Sequence, residues 1–269
     1  MDRSSPRLFL CAGLQCSGST LVSWCFLQRH DMDGVLDGEY DLLPRIAPNL
    51  GKPLAWCKTT ISSFRLSELV GHYEDEGWAV SPLLIVRDVR DTWASLLVKP
   101  YGTNGFTAED PPLRLRFRRF KEDWELFRAN GWPILRYESL WDDHKKTLRD
   151  ACQQLALAWD DSMIHWTKGR NLSETLARYS AYKKKESIIR GGDLAWLENE
   201  FQAFNTENDY PLHVEACAEA NDHSSAPICN FQQLRRYRWE LQRKPIRWLL
   251  SNLGVPDNNL DGRFLKKAG

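Results

Sequence analysis

The sequence predicts an α/β protein with three layers: a mostly parallel central sheet and helices on both of its faces. Three observations predict it. PLLIV, 82–86, is a continuous branched apolar run of the kind that suits a strand buried on both faces. That run and the earlier RLFLCAGL each pass through a polar corner, RDVRD and CSGST, into a helical pattern. Strand and helix patterns then keep alternating through residue 160. With 269 residues, a hydrophobic fraction of 42% and 12 tryptophans, the chain can bury one substantial core. We expect a single domain over 1–269, with about 205–269 forming an inserted loop and a basic helical C-terminal extension.

RLFLCAGL reads as the first strand. It begins beside Arg7 and runs straight into a glycine loop where a secretory signal would need a cleavage region. TLVSWCFLQRH reads as a helix against the sheet, with Ser17 or Ser19 as its cap. HDMDGVLDGEYD is a loop with room for a short strand, and Leu54 to Cys57 give a further strand ending at Lys58. A helix is expected over Ser62 to Glu76, stopped by Gly77. After PLLIV, Asp88 or Asp91 caps a helix carrying Trp93 to Leu97. Residues 99–112 form a Gly- and Pro-rich loop, Arg114 to Asn130 a charged helix, 133–137 a strand, and Lys145 to Ala156 a helix. Beyond 160 the pattern weakens: Lys168 to Arg190 is polar, Gly191 and Gly192 break it, and 205–230 reads as an irregular insertion. A basic amphipathic helix follows at about 231–251.

Lys plus Arg and Asp plus Glu number 36 each, so net charge points to neither nucleic acid nor a membrane surface. No run of apolar residues is long enough to cross a bilayer. The seven cysteines are scattered, without a CxxC pair, and read as buried thiols of a cytoplasmic protein. His213, Cys217, His223 and Cys229 have no strong zinc spacing, and no metal is expected. The arginines of the 231–251 segment, like those of 114–121, read as charges facing water beside a packed aromatic stripe. His30, His72 and His144 read as surface residues.

Cys16, Ser17, Gly18, Ser19 and Thr20 can turn backbone N–H groups toward an anion at a helix N-terminus. Alone, this stretch reads first as a plain strand-to-helix turn. The GxxxxGK[ST] pattern of nucleoside-triphosphate hydrolases is absent, which also disfavours a kinase-like phosphotransferase. Arg87 ends the PLLIV strand and Ser95 follows eight positions later, about one turn into the next helix; together they offer a guanidinium and a hydroxyl to a second phosphate. The alternative for Arg87 is a salt bridge to Asp88, Asp91 or Glu138. In a parallel sheet CSGST, Lys58, Arg87 and Glu138 all fall beyond the carboxyl ends of strands, where such folds bind ligands.

These motifs, in this order, resemble the sulfotransferases that use 3′-phosphoadenosine 5′-phosphosulfate (PAPS). LQCSGST resembles the family's P-[KR]-S-G-[ST]-T loop for the 5′-phosphosulfate at Ser17, Gly18, Ser19 and Thr20. RDVRDTWAS, 87–95, resembles its 3′-phosphate motif, RYESL, 136–140, its R-Y-E-D-L strand end, and Lys58-Thr59 its lysine-threonine pair. IIRGGDLAW, 188–196, loosely echoes the loop that covers the nucleotide, with Arg190 and Gly191 as its contacts. The resemblance spans roughly residues 7–200. It implies a P-loop-like sulfotransferase fold and transfer of a sulfuryl group from PAPS to a hydroxyl or amine. The implied product is adenosine 3′,5′-bisphosphate, with no metal required.

Two departures matter. Cys16 stands where the family carries a loop cation, which leaves Lys58 or Arg190 to meet the leaving-group charge. Thr60 stands where one branch has its histidine base, and Gly38-Glu39 resembles the segment holding a glutamate base in another, so Glu39 is the expected base and Lys58 the catalytic cation. Glu138 is expected to act structurally, orienting Lys58 or pairing with an arginine. The alternative function is a catalytically inactive nucleotide-binding module of the same fold. The acceptor is expected to be a small molecule or carbohydrate; its identity and the oligomeric state are not encoded in any motif.

Overall fold

A computed structural model of the chain describes residues 6–36, 52–61, 65–97, 112–165, 172–173, 176, 189 and 191–211. Glu39, Arg190, the 99–111 loop, most of 166–190 and everything from 212 on, including the basic helix and the His213–Cys229 group, lie outside the described residues.

The described strands are β1 (Arg7–Gly13), β2 (Met32–Leu36), β3 (Leu54–Lys58), β4 (Ala79–Val86) and β5 (Ile134–Arg136). They form one parallel sheet in the order β2-β3-β1-β4-β5. The helices are α1 (Ser19–Phe26), α2 (Leu66–Asp75), α3 (Val89–Leu97), α4 (Leu113–Asn130), α5 (Ser139–Gln154), α6 (Gly191–Glu200) and α7 (Gln202–Glu207).

Side-chain alternation along the strands builds the layers. Leu8, Leu10 and Ala12 of β1 join Ala55 and Cys57 of β3 and Leu84 and Val86 of β4 on one face, against α2, α3, α4, α6 and α7. Phe9 and Cys11, with Trp56, Leu83 and Ile85, bury the other face against α1 and α5. Both faces of β1 and β4 are covered, which is why their sequences are continuous apolar runs.

Chain direction marks a candidate edge for ligand binding. From the carboxyl end of β1 the chain leaves through α1 toward β2, while from adjacent β4 it leaves through α3 toward β5. A crevice opens where neighbouring strands send their connections opposite ways.

Several helix ends differ from expectation for identifiable reasons. Gly18, not Ser17 or Ser19, caps α1, with φ 90° and no side-chain bond to the helix. Asp88 is the cap of α3, its Oδ1 accepting from the Arg90 N–H at 2.9 Å. α2 starts at Leu66 rather than Ser62 because Asp123 of α4 reaches across to accept its first N–H at 2.7 Å. α5 starts at Ser139, earlier than the expected Lys145, but is broken at Asp143 (φ −154°), whose carboxylate caps the second segment through the Lys146 N–H at 2.8 Å. Residues 202–207, partly inside the expected irregular insertion, are helical.

Candidate functional site

The turn after β1 is the centre of the candidate site. Ser17 N–H donates to Leu14 C=O at 3.1 Å, and the first helical bond of α1 runs from Val22 N–H to Gly18 C=O at 3.1 Å. The amides of Ser19, Thr20 and Leu21 therefore lie ahead of the helical ladder, at the positive end of the helix dipole. Ser17 is buried, and its hydroxyl has no hydrogen-bond partner among the described residues. Gly13 makes room for it: a Cβ there would collide with Ser17 Oγ and lie 2.8 Å from the Ile85 carbonyl.

Cys16 is half-buried and takes a left-handed conformation, φ 68°, that non-glycine residues seldom adopt. Arg87, leaving β4, reaches over to it: Nη1 donates to the Cys16 carbonyl at 2.9 Å. The same guanidinium lies 3.8 Å from Asp91 and packs over the Tyr137 ring, 5.1 Å from its centroid. That ring in turn covers Gly18, leaving no space for a Cβ. The loop and the strand-end arginine thus form one packed unit across the β1–β4 crevice.

Lys58 closes the adjacent strand. It is buried at 5% exposure and its Nζ donates to Thr60 Oγ1 at 3.1 Å. Pairing with β1 continues past β3, through Thr59 N–H to Cys11 C=O at 2.8 Å and Ile61 N–H to Gly13 C=O at 3.0 Å. Thr60 is thereby fixed beside the lysine it orients. Ser95 is half-buried and sits about two turns into α3, deeper than the single turn expected, because the helix already begins at Val89. Gly191 is exposed and opens α6.

Glu138 braces this edge. Its carboxylate accepts from the Asp88 N–H at 3.0 Å and from the Tyr210 hydroxyl at 2.8 Å, with Arg136 at 3.7 Å. Burial raises its pKa above the usual carboxylate range, against those donors. Of its two expected roles, the arginine neighbour is present, and the contacts above go to Asp88 and Tyr210 rather than to Lys58.

Two features escaped the sequence reading. Behind the loop, Arg116 of α4 is buried at 2% exposure and its Nη1 donates to Gln15 Oε1 at 2.7 Å. Its neighbours do not face water as expected: Arg114 pairs with Asp193 at 2.9 Å, and Lys121 with Glu200 at 3.0 Å, both on α6. The signal was present in the stripe Leu113, Phe117, Phe120, Trp124 and Phe127, into which Arg116 falls at helical spacing. The second is a buried ionic knot: Arg90 binds both Asp88 oxygens at 3.0 and 2.7 Å and Glu198 of α6 at 3.2 Å.

At the opposite, amino end of the sheet, His30, Asp31 and Asp160 place ligand atoms within 4.8 Å of one another. Those carboxylates are already occupied: Arg29 grips Asp31 at 2.9 and 2.8 Å, and Asp160 accepts from the Ser162 N–H at 2.9 Å. Among the described cysteines, Cys11, Cys25, Cys57 and Cys152 are buried and none of them forms a disulfide. No helix of the described residues is long and apolar enough to cross a membrane.

No protein-family model matches this chain, and no curated protein matches it in sequence. Solved structures similar to it include the sulfotransferase domain from the curacin biosynthetic pathway, 13% identical, covering 77% of this chain and 99% of that one with a TM-score of 0.48. The sulfotransferase domain from the Synechococcus PCC 7002 olefin synthase is 17% identical, over 71% of this chain and 90% of that one, with a TM-score of 0.45. Mouse sulfotransferase SULT7A1 complexed with PAP is 13% identical over 69% and 68%, with a TM-score of 0.40. The likeness is one of fold at low identity.

Proposed function

We propose that the chain is a PAPS-dependent sulfotransferase that sulfates a hydroxyl or amine of a small-molecule or carbohydrate acceptor in the cytoplasm. The observation that carries this reading is the 2.9 Å bond from Arg87 to the Cys16 carbonyl, which joins the two half-sites that RDVRDTWAS and CSGST suggest separately. The residues fit such a ligand. The buried Ser17 hydroxyl lacks a hydrogen-bond partner among the described residues, and the leading amides of α1 need an acceptor that a phosphate oxygen supplies.

Bound PAPS would supply an activated sulfuryl group: the bond from sulfur to the 5′-phosphate oxygen breaks, its electron pair stays on phosphate, and a new bond forms from sulfur to the acceptor. Ser17 to Thr20 would hold the 5′ end, and Arg87 with Ser95 the 3′-phosphate. Arg190 and Gly191 would cover the nucleotide. Lys58, oriented by Thr60, would face the charge growing on the leaving oxygen, a preorganised cation of the kind that contributes most to such reactions. Glu39 would take the acceptor's proton.

Titration calorimetry of the full chain with adenosine 3′,5′-bisphosphate tests the assignment. Selective binding is expected, weakened at least tenfold in Arg87→Ala and in Ser95→Ala. Full affinity in both variants would remove the basis of the reading. Cys16 favours a second reading, an inactive nucleotide-binding module: the loop's own five residues carry no charge. That reading predicts bisphosphate binding without sulfate transfer from PAPS to acceptors that include the true one.

A further inference from the structure

Arg87 can meet a phosphate only if its side chain leaves the end of β4 in the right direction, and the peptide group that follows it sets that direction. The Arg87 carbonyl and the Asp88 N–H are two ends of one planar unit, so a partner that grips the N–H fixes the backbone rotation at Arg87. Glu138 is that partner: its Oε1 accepts from the Asp88 N–H at 3.0 Å. The Asp88 side chain is engaged separately, by Arg90, which in turn reaches Glu198. Those bonds settle the start of α3, whereas the Glu138 bond settles the peptide plane at Arg87.

Glu138 is itself held from far along the chain. Its other oxygen, Oε2, accepts from the Tyr210 hydroxyl at 2.8 Å. Tyr210 is buried, with its ring centroid 5.7 Å from that of Phe204 and the Arg136 guanidinium 4.7 Å above it. A left-handed Asp209 (φ 55°) turns the chain out of α7, and the Tyr210 N–H closes on the Asn205 carbonyl at 2.9 Å. Burial and the neighbouring carboxylate push the hydroxyl well above its usual range, so it stays protonated and donates. A hydroxyl just beyond α7 thus holds the carboxylate that holds the Arg87 backbone.

We propose that Tyr210 is a positioning residue for the 3′-phosphate site, acting through Glu138 on Arg87. The proposal rests on the nucleotide reading above. It adds a requirement that neither RDVRDTWAS nor RYESL carries: Arg87 is set for its phosphate only when Tyr210 is docked.

The test is calorimetry on the full chain with adenosine 3′,5′-bisphosphate and, as the probe without a 3′-phosphate, adenosine 5′-monophosphate. Tyr210→Phe keeps the ring and removes only the hydroxyl; it is expected to weaken the bisphosphate about 3- to 10-fold and to leave the monophosphate within about twofold. In an Arg87→Ala background the same change should have no further effect, because the group it positions is gone. Glu138→Ala is expected to weaken the bisphosphate at least about tenfold. Glu138→Gln, whose amide oxygen still accepts from the Asp88 N–H while its amide nitrogen donates to the tyrosine oxygen, should restore it to within about threefold. Tyr210→Phe decides alone if Glu138→Ala does not fold. Unchanged bisphosphate affinity in Tyr210→Phe, equal weakening of both probes, a loss that adds in full to that of Arg87→Ala, or no rescue by Glu138→Gln overturns the proposal and leaves the nucleotide reading standing. A wild-type protein that binds neither probe overturns the nucleotide reading and takes the proposal with it.

Discussion

Gly18→Ala should damage stability and binding together, for two separable reasons. At φ 90° the backbone is left-handed, which costs an alanine about 1–2 kcal/mol. The new Cβ would also lie 3.1 Å from Cγ of the Tyr137 ring, with Cδ2 and Cε2 nearer still, so the ring must move. Overpacking of this kind costs about 1–3 kcal/mol, giving roughly 2–5 kcal/mol in all. The ring is not free to retreat, because it is buried at 7% exposure and carries Arg87 on it. Tyr137→Ala alone should cost about 3–5 kcal/mol, as for other buried aromatic truncations. In the double variant the collision disappears while the backbone strain stays. Its loss should therefore fall short of the sum of the single losses by about 1–3 kcal/mol. Urea unfolding followed by tryptophan fluorescence gives each term from the shift in midpoint at constant slope. Single losses that add to within about 0.5 kcal/mol would refute the ring–glycine contact as the source of the effect.

Two further outcomes follow from the buried charges. Arg90→Ala leaves the Asp88 and Glu198 carboxylates facing each other without their cation, and should cost about 3–5 kcal/mol in denaturant unfolding; Arg90→Lys should restore little, since an ammonium cannot span both partners. Burial pushes the Asp123 carboxyl up to about 6 despite the Leu66 and Ser67 N–H donors, so the folded chain holds this proton more tightly than the unfolded one. Its contribution is full below about pH 4 and is lost as pH rises to about 6, on the order of 3 kcal/mol; an unchanged slope over that window in Asp123→Asn would contradict it.

The sheet was legible because its signal is local. β1 and β4 bury both faces, so each is written as an unbroken apolar run, and a polar corner marks where each ends. Helix starts were less legible, since what decides them comes from far along the chain. The carboxylate that opens α2 belongs to Asp123, and only folding brings it to Leu66. α4 shows the same limit more sharply. Arg114, Arg116 and Arg118 look alike in sequence, and whether one faces α6 or the loop depends on a rotation of the helix that its aromatic stripe sets. Spacing from Leu113 and Phe120 marked Arg116 as an inward position; its charge argued for water, and the Gln15 acceptor that settles the conflict lies in another element.

That conflict bears on what Cys16 means. A cysteine at φ 68° holds a strained turn that costs of order 1–3 kcal/mol, and a charge-assisted bond from Arg87 to its carbonyl is of comparable size. The backbone shape of the loop is thus stabilised by an arginine from β4, independently of which side chain occupies position 16. A second arginine, from α4, meets the preceding side chain. With the backbone held by Arg87, position 16 does not need a glycine. A small thiol packs there at the edge of the α4 core, and under the proposed function it leaves the loop's backbone dipoles, rather than a side-chain charge at position 16, to face the phosphate.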